Sequence, residues 1–388
     1  MHVLTRPFYL LLTVSFFLAA CSGESKQKTS DDSTAFYPPT PAPLTKSAFR
    51  ILHRQVQQFY DTTYPGGSLN GGFLVAKNGA IIFERYNGTA HLKGQDTIAA
   101  DTPLHIASTS KTFTAMAILR LVQENKLQLT DSLEKFFPAF PYKGITVHML
   151  LSQRSGLPNY MNVMDQQGWD KKQRATNRDV LAYLIREKPA LQGRPGRGFQ
   201  YCNTNFVLLA LILEDITGKT YDRHLEEVFF RPLGMEHTFV FRWSDSARVA
   251  PSYRANGTQE AFTWLDETYG DKNIYSTPRD LLKWDQALYT DQLVHSKLRE
   301  AAFTPYSFEK PGIHNYGLGW RMYTLPAQKK IIYHNGWWHG NNACFYRVIS
   351  DTLTIIALGN RMNRNIYRVK PLIEATTTLR FSYENGED

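Results

Sequence analysis

The sequence predicts an α/β fold whose sheet is contributed by both ends of the chain, with a mainly helical stretch inserted between them. Three observations carry this. Early in the folded region, "GGFLVAKNGAIIFERYNG" sets two β-rich runs on either side of Asn78-Gly79, a strong hairpin signature. From about residue 106 to 235 the apolar spacing is helical, as in "SKTFTAMAILRLVQENKL", "NRDVLAYLIREK" and "TNFVLLALILEDITGK". The last third returns to strand-like runs: "NYGLGWRMYTL", "KKIIYHNG", "ACFYRVIS" and "TLTIIALGN". With 388 residues, 43% hydrophobic and 20% charged, the chain has a globular composition, and the length of one large domain with an insertion or of two domains.

Taken in order, Met1 to Arg6 is short and basic, and "FYLLLTVSFFLAA" is an apolar run too short for a membrane span, ending in small residues before Cys21. Residues 1–20 therefore read as a secretory signal peptide. Leu18-Ala19-Ala20-Cys21 resembles the lipobox of bacterial lipoproteins. That resemblance implies a lipidated Cys21, a membrane association through the lipid alone, and a place in the bacterial cell envelope, periplasmic or surface-facing. Residues 21–46 hold "SGESKQKTSDDSTAF" and the proline-rich "YPPTPAPL", a flexible and partly extended tether. The folded domain is expected over residues 47–388, opening on the helical pattern "SAFRILHRQVQQFY". Its sheet part is expected at about 47–105 and 265–388, its helical part at about 106–264, and a closing helix within "IYRVKPLIEATTTLRF".

The formal net charge of +9 is scattered, without a basic run or a basic helix face, which argues against a nucleic-acid partner. No His-Glu-x-x-His and no glycine-rich phosphate loop occur, so neither metal nor other cofactor is expected. The absence of Gly-x-Ser-x-Gly disfavours an α/β-hydrolase elbow. Besides Cys21 there are Cys202 and Cys344, which could form one disulfide or remain two buried thiols.

The chemistry centres on "IASTSKTFTA", in which Ser108 stands three residues before Lys111. Ser-x-x-Lys is a weak pattern and occurs four times, at Ser25, Ser108, Ser132 and Ser307, so context must sort the matches. Ser25 lies in the tether, Ser132 starts a short turn-like segment, and Pro311 follows the lysine of the Ser307 match. Only Ser108 opens a long helical pattern, where a helix puts serine and lysine on one face about 5–6 Å apart at Cβ. The helix N-terminus would also favour a developing oxyanion. A serine hydroxyl is a weak nucleophile until a base takes its proton, and a lysine one turn away is a candidate base.

With these motifs the chain resembles the penicillin-recognising serine hydrolases: class C β-lactamases, D-alanyl-D-alanine carboxypeptidases and related esterases. The family's Ser-x-x-Lys is followed by Tyr-x-Asn in the helical part and a Lys/His-x-Gly strand near the end. Of four Tyr-x-Asn matches, only Tyr201-Cys202-Asn203 has a Gly/Pro-rich approach, "GRPGRG", and an apolar helix after it. His-x-Gly occurs once, as His334-Asn335-Gly336 in "YHNGWWHG". "ITVHMLLSQRSGLPNY", "YSTPRDLLKW" and "NYGLGW" are similar to the family as well, and the resemblance spans about residues 50 to 360. It implies a β-lactamase/transpeptidase-like fold with an antiparallel sheet flanked by helices. It implies Ser108 as the nucleophile that forms an acyl-enzyme, Lys111 as the aid to its deprotonation and Tyr201 as base and acid shuttle, with either Tyr201 or Lys111 as the base that finally takes the serine proton. Asn203 would hold Lys111 and a substrate amide, and His334, Asn335 and Gly336 would lie on the strand edge beside the substrate. The backbone N–H groups of Ser108 and Trp337 would form the oxyanion hole. Trp337 and Trp338 are either an aromatic substrate wall or packing on the sheet.

The implied function is a serine hydrolase cleaving a small ester or amide. The alternatives are a D-amino-acid-specific peptidase acting on cell-wall peptides and, from another class, a non-catalytic envelope-binding lipoprotein. β-Lactamases of this type have Lys-Thr-Gly where this chain has His-Asn-Gly. A neutral His334 would give a substrate carboxylate one hydrogen bond without charge, so short neutral esters are expected to be turned over better than β-lactams.

Overall fold

The computed structural model describes residue 2, residues 44–91, residue 94 and residues 96–381. Apart from His2, the expected signal peptide, Cys21 and the tether up to residue 43 lie outside the described residues. The helix Lys46–Thr63 opens the domain, capped by Thr45, whose hydroxyl accepts from the Ala48 N–H at 3.2 Å. Strands β1 (Gly71–Lys77) and β2 (Ala80–Asn87) form the expected hairpin. Asn78 and Gly79 both take positive φ, 52° and 74°, as a tight I′ turn demands.

Five short strands follow: β3 (Leu104–His105), β4 (Phe239–Val240), β5 (Ser252–Tyr253), β6 (Gln259–Glu260) and β7 (Ile274–Ser276). The C-terminal strands are β8 (His314–Tyr316), β9 (Arg321–Thr324), β10 (Lys330–Trp338), β11 (Asn341–Val348) and β12 (Leu353–Gly359). The main sheet has seven strands in the order β2-β1-β12-β11-β10-β9-β8, all antiparallel. Both chain ends thus meet at the β1–β12 pair, where Gly71 lies opposite Gly359. A second small sheet, β3-β7-β4, ties the segment before Ser108 to residues 274–276.

Both faces of the main sheet are covered. Phe73, Val75, Tyr333, Ile355 and Ala357 face one layer, with the helices Lys46–Thr63 and Lys370–Thr376. Leu74, Ile332, Phe345, Ile356 and Leu358 face the other, larger layer with the helices Ser110–Gln123, Thr204–Thr217 and Pro278–Ala287. A strand buried on both faces reads as an unbroken apolar run, which is why "TLTIIALGN" shows no alternation. Two helices, Pro278–Ala287 and Ser296–Ala302, come after residue 264 and before the sheet resumes at β8. The closing helix is shorter than its apolar pattern, Lys370–Thr376, because a 3₁₀ turn at Arg364–Tyr367 precedes it. Cys202 and Cys344 are both free and buried, packed in the two different layers, so the disulfide alternative drops out.

Candidate active site

Ser108 does not begin the α-helix. It sits in a 3₁₀ turn, Ala107–Thr109, and the helix Ser110–Gln123 follows. Ala107 before it has a φ of 48°, a left-handed conformation that costs a non-glycine residue about 1–3 kcal/mol. The surroundings hold it there. The Ala107 N–H donates to His105 Nδ1 at 3.0 Å, and the other ring nitrogen of His105 lies 2.9 Å from Asn273 Oδ1. With Nδ1 accepting, Nε2 carries the proton and donates to Asn273. Burial brings the His105 pKa down to about 4, so the ring stays neutral and keeps that tautomer.

One helical turn on, Lys111 is 0% exposed and its Nζ has three acceptors. It donates to Ser108 Oγ at 3.1 Å, to Asn203 Oδ1 at 2.8 Å and to the Asp271 carbonyl at 2.7 Å. Asn203 stands at the start of the helix Thr204–Thr217, and its Nδ2 donates to Met161 Sδ at 3.3 Å, a weak acceptor that a substrate carbonyl can replace. The Tyr201 ring lies 5.0 Å from Lys111 Nζ and 4.8 Å from Arg321 Cζ. Among the described residues, no hydrogen bond joins its hydroxyl to Ser108 or Lys111.

β10 closes the site from the other side. Gly336 runs so close to the nucleophile turn that a Cβ there would lie 2.3 Å from the Ile106 carbonyl oxygen and 3.1 Å from Ser108 N. The backbone of β10 therefore adjoins the Ser108 N–H, where an oxyanion hole needs its two donors. The Tyr367 hydroxyl donates to the Gly336 carbonyl at 2.7 Å. Trp338 Nε1 donates to buried Asp266 at 2.6 Å and Trp337 Nε1 to the His339 carbonyl at 2.7 Å, and both rings line the cavity beside Ser108, with Trp337 63% exposed.

His334 departs from expectation. Its side chain is 0% exposed and lines neither cavity beside Ser108, so it does not present its imidazole to the open cleft. Its Nδ1 lies 2.7 Å from the Asn335 carbonyl, and among the described residues Nε2 has no hydrogen-bond partner. Burial, then Arg321 and Lys111, hold its pKa well below the usual histidine value. The physical reason is the two-residue strand period: Tyr333, Asn335 and Trp337 reach the cleft while His334, on the other face of the strand, packs near the rings of Tyr201 and Tyr316.

Two cavities meet at Ser108. One, of about 530 Å³, has an apolar wall of Met161, Trp264, Leu265 and Trp338 with Lys272 among them. The other, of about 600 Å³, is lined by Tyr201, Arg321, Tyr333, Asn335, Tyr346 and Arg364. Ser108, Asn203, Trp337 and Met362 border both. The sequence reading passed over Arg321, Lys272 and the His105–Asn273 pair. Arg321 had a visible trace, a lone arginine in the aromatic and apolar run "YGLGWRMY". Among the described residues, no carboxylate forms an ion pair with it. No group of three or more His, Cys, Asp or Glu side chains among the described residues is arranged to hold a metal ion.

A two-layered α/β sheet with a serine beside a buried lysine, at the meeting of two cavities, defines a serine hydrolase. The Beta-lactamase family model matches residues 53–373, and the chain belongs to that family. It is 31% identical over 324 residues to penicillin-binding protein 4* of Bacillus subtilis (strain 168), covering 79% of this chain and 72% of that one. It spans 63% and 55% of the length of two other curated relatives. Among solved structures, it is similar to a penicillin-binding protein from Bacillus halodurans, with a TM-score of 0.72 at 24% identity over 84% of this chain and 99% of that one. It is also similar to the D-amino acid amidase of Ochrobactrum anthropi SV3, with a TM-score of 0.66 at 22% identity over 85% and 98%. At those identities the likeness concerns the fold.

Proposed function

We propose that this chain hydrolyses an ester or amide through an acyl-enzyme on Ser108. The observation that carries this is the trio of contacts at Lys111 Nζ. Asn203 Oδ1 and the Asp271 carbonyl can only accept, so these two fixed acceptors hold Lys111 Nζ within 3.1 Å of Ser108 Oγ, where it can take the hydroxyl proton. Ser108 Oγ attacks the substrate carbonyl carbon and its proton passes to this base. The carbonyl oxygen collects negative charge beside the backbone N–H groups of Ser108 and Trp337. As the tetrahedral intermediate collapses, the leaving atom takes a proton from Tyr201. Water then attacks the acyl carbon, its proton passing to the Tyr201 phenolate, and Lys111 returns the proton it took to Ser108 Oγ as the acyl–oxygen bond breaks, which restores all three groups. The leaving group belongs in the cavity that Tyr201 lines, and the acyl group in the one walled by Trp264 and Trp338. Ser108→Ala, which deletes one oxygen, is expected to abolish labelling by a fluorescent fluorophosphonate and ester turnover while the thermal midpoint stays close to wild type. Wild-type turnover in that variant would refute the assignment.

A second reading is favoured by Arg321. The notion that a neutral His334 leaves the cleft without a charge for a carboxylate does not hold once Arg321 is seen beside Tyr201, in the leaving-group cavity. A leaving group that carries a carboxylate, such as the last residue of a cell-wall peptide, suits this cavity. A charge-assisted hydrogen bond is worth about 1.5–3 kcal/mol, so Arg321→Met is expected to lower kcat/KM for a D-Ala-D-Ala peptide roughly 10–100-fold. The value for a short nitrophenyl ester should stay within a few-fold. Equal losses on both substrates would remove Arg321 from carboxylate recognition.

A further inference from the structure

Segment 268–274 is pinned between the helices Ser110–Gln123 and Thr204–Thr217. Gly270 has a φ of 90°, and a Cβ there would lie 2.5 Å from the Phe206 carbonyl oxygen and 2.7 Å from Ala210 Cβ, so only glycine fits. Thr114 Oγ1 donates to the Gly270 carbonyl at 2.6 Å, and the Ile274 N–H donates to Ser110 Oγ at 3.1 Å. Between these two ties the Asp271 carbonyl receives Lys111 Nζ.

Side chains of the same segment, with Tyr160, form a buried polar ring at the wall of the cavity of about 530 Å³. Asp271 is 0% exposed and Lys272 2%. Lys272 Nζ donates to Tyr160 Oη at 2.9 Å and to Thr268 Oγ1, and lies 3.7 Å from Asp271 Oδ1. Tyr160 Oη lies 2.7 Å from Thr268 Oγ1 and donates to Asp271 Oδ2 at 3.1 Å. The ammonium also stands 4.8 Å from the Trp338 ring centroid. A buried ion pair is a poor way to gain stability, because desolvation of both charges offsets their attraction. A ring of this kind directly under the lysine that faces the nucleophile calls for a role in the site.

We propose that Tyr160, Asp271 and Lys272 are positioning residues whose hydrogen-bonded ring holds the Asp271 carbonyl against Lys111 Nζ and so keeps Lys111 aimed at Ser108. The three residues act through Lys111, and the proposal rests on the reading of Ser108 and Lys111 given above. Burial lowers the Lys272 pKa, and the Asp271 and Asp266 carboxylates oppose that shift. Each ring member constrains Asp271 from a different side, so losing one frees the carbonyl to turn away and leaves Lys111 with two acceptors.

The test uses the full chain with Lys272→Ala and Tyr160→Phe, the second removing only the hydroxyl and keeping the packing. The readouts are the rate of fluorophosphonate labelling, kcat and KM on a short nitrophenyl ester, and the thermal midpoint. At metal sites, outer partners that orient a reacting group are worth about 10–100-fold, and a loss of that size in labelling rate and kcat is expected here, with KM within about threefold. Propylammonium, which replaces the deleted part of the side chain, is expected to restore part of the rate to Lys272→Ala, and tetramethylammonium, which cannot donate, to restore none. Wild-type rates per folded molecule in both variants, or a rise in KM alone, would overturn the proposal. Ser108→Ala run alongside separates the two readings: labelling that persists there sinks the nucleophile assignment whatever the ring variants do.

Discussion

Ala107 is the residue on which the aim of the nucleophile depends. Its left-handed backbone turns the chain sharply between β3 and the helix, and it persists because His105, neutral and hydrogen-bonded at both ring nitrogens, accepts its N–H. The serine that follows is partly exposed, with buried residues on either side. Tyr201 is the residue whose role the hydrogen bonds leave to experiment. Its ring lies 5.0 Å from Lys111 Nζ and 4.8 Å from Arg321 Cζ, and it borders Ser108 in the leaving-group cavity. Hydrogen bonds that form only with substrate are often absent from an empty site. As general acid for the leaving atom, Tyr201 is expected to be worth roughly 10²–10⁴-fold, so Tyr201→Phe should lower kcat by that factor on an amide. A good nitrophenolate leaving group needs no proton, so the loss on a nitrophenyl ester should be smaller. Equal kcat values for wild type and variant on the amide would leave proton transfer to Lys111 alone.

At the scale of elements, the site is the seam between β10 and the turn at residues 106–109. These come from opposite ends of the domain and are drawn together by the sheet order, with Gly336 at the point of closest approach. The obstacle to any side chain there is backbone on both sides, the Ile106 carbonyl and the Ser108 amide, which cannot swing away as a side chain end could. Gly336→Ala is therefore expected to wedge the strand off the turn. It should lower stability by about 1–3 kcal/mol, as overpacking does, and reduce ester kcat more than tenfold even at temperatures where the variant is fully folded. Denaturant unfolding and steady-state kinetics on one preparation check both parts. The strand's alternation explains the fate of its neighbours. Asn335 and Trp337 meet the cleft, and His334, though named by the same three-letter pattern, packs beneath it.

At the scale of the molecule, several histidines have been taken out of water. His334 is held well below the usual value, and His105 and His224 are each brought down to about 4, burial being the first cause in all three. In the unfolded chain each titrates near 6.5. Between the folded and unfolded values the unfolded state binds more protons, so the stability present above pH 6.5 is lost as pH falls below it. Each such histidine steepens the loss by at most about 1.4 kcal/mol per pH unit. The thermal midpoint is expected to drop clearly between pH 7.5 and 5.0, and replacing exposed histidines should leave that slope as it is. A flat profile over this range would mean that these rings are hydrated or paired in the folded state.

What the sequence determined by itself was the local chemistry and the order of the elements. Ser108 and Lys111 are three apart on a helical pattern, the hairpin turn is written in Asn78-Gly79, and the last third reads as a series of strands. These are short-range facts, fixed by steric limits on the backbone and by the periods of helix and strand. Tertiary structure alone decided which groups far apart in the chain would complete the site. Lys111 finds an acceptor 160 residues away in a main-chain carbonyl, which no side chain advertises. Arg321 and Lys272 read as ordinary members of a strand and a loop until the sheet order and the packing of segment 268–274 bring them to the two cavities. His334 and the two cysteines show the converse. Their motif positions were plain, but whether they face the cleft, each other or the interior depends on which face of the sheet is turned inward, and that is settled only when both layers have closed on it.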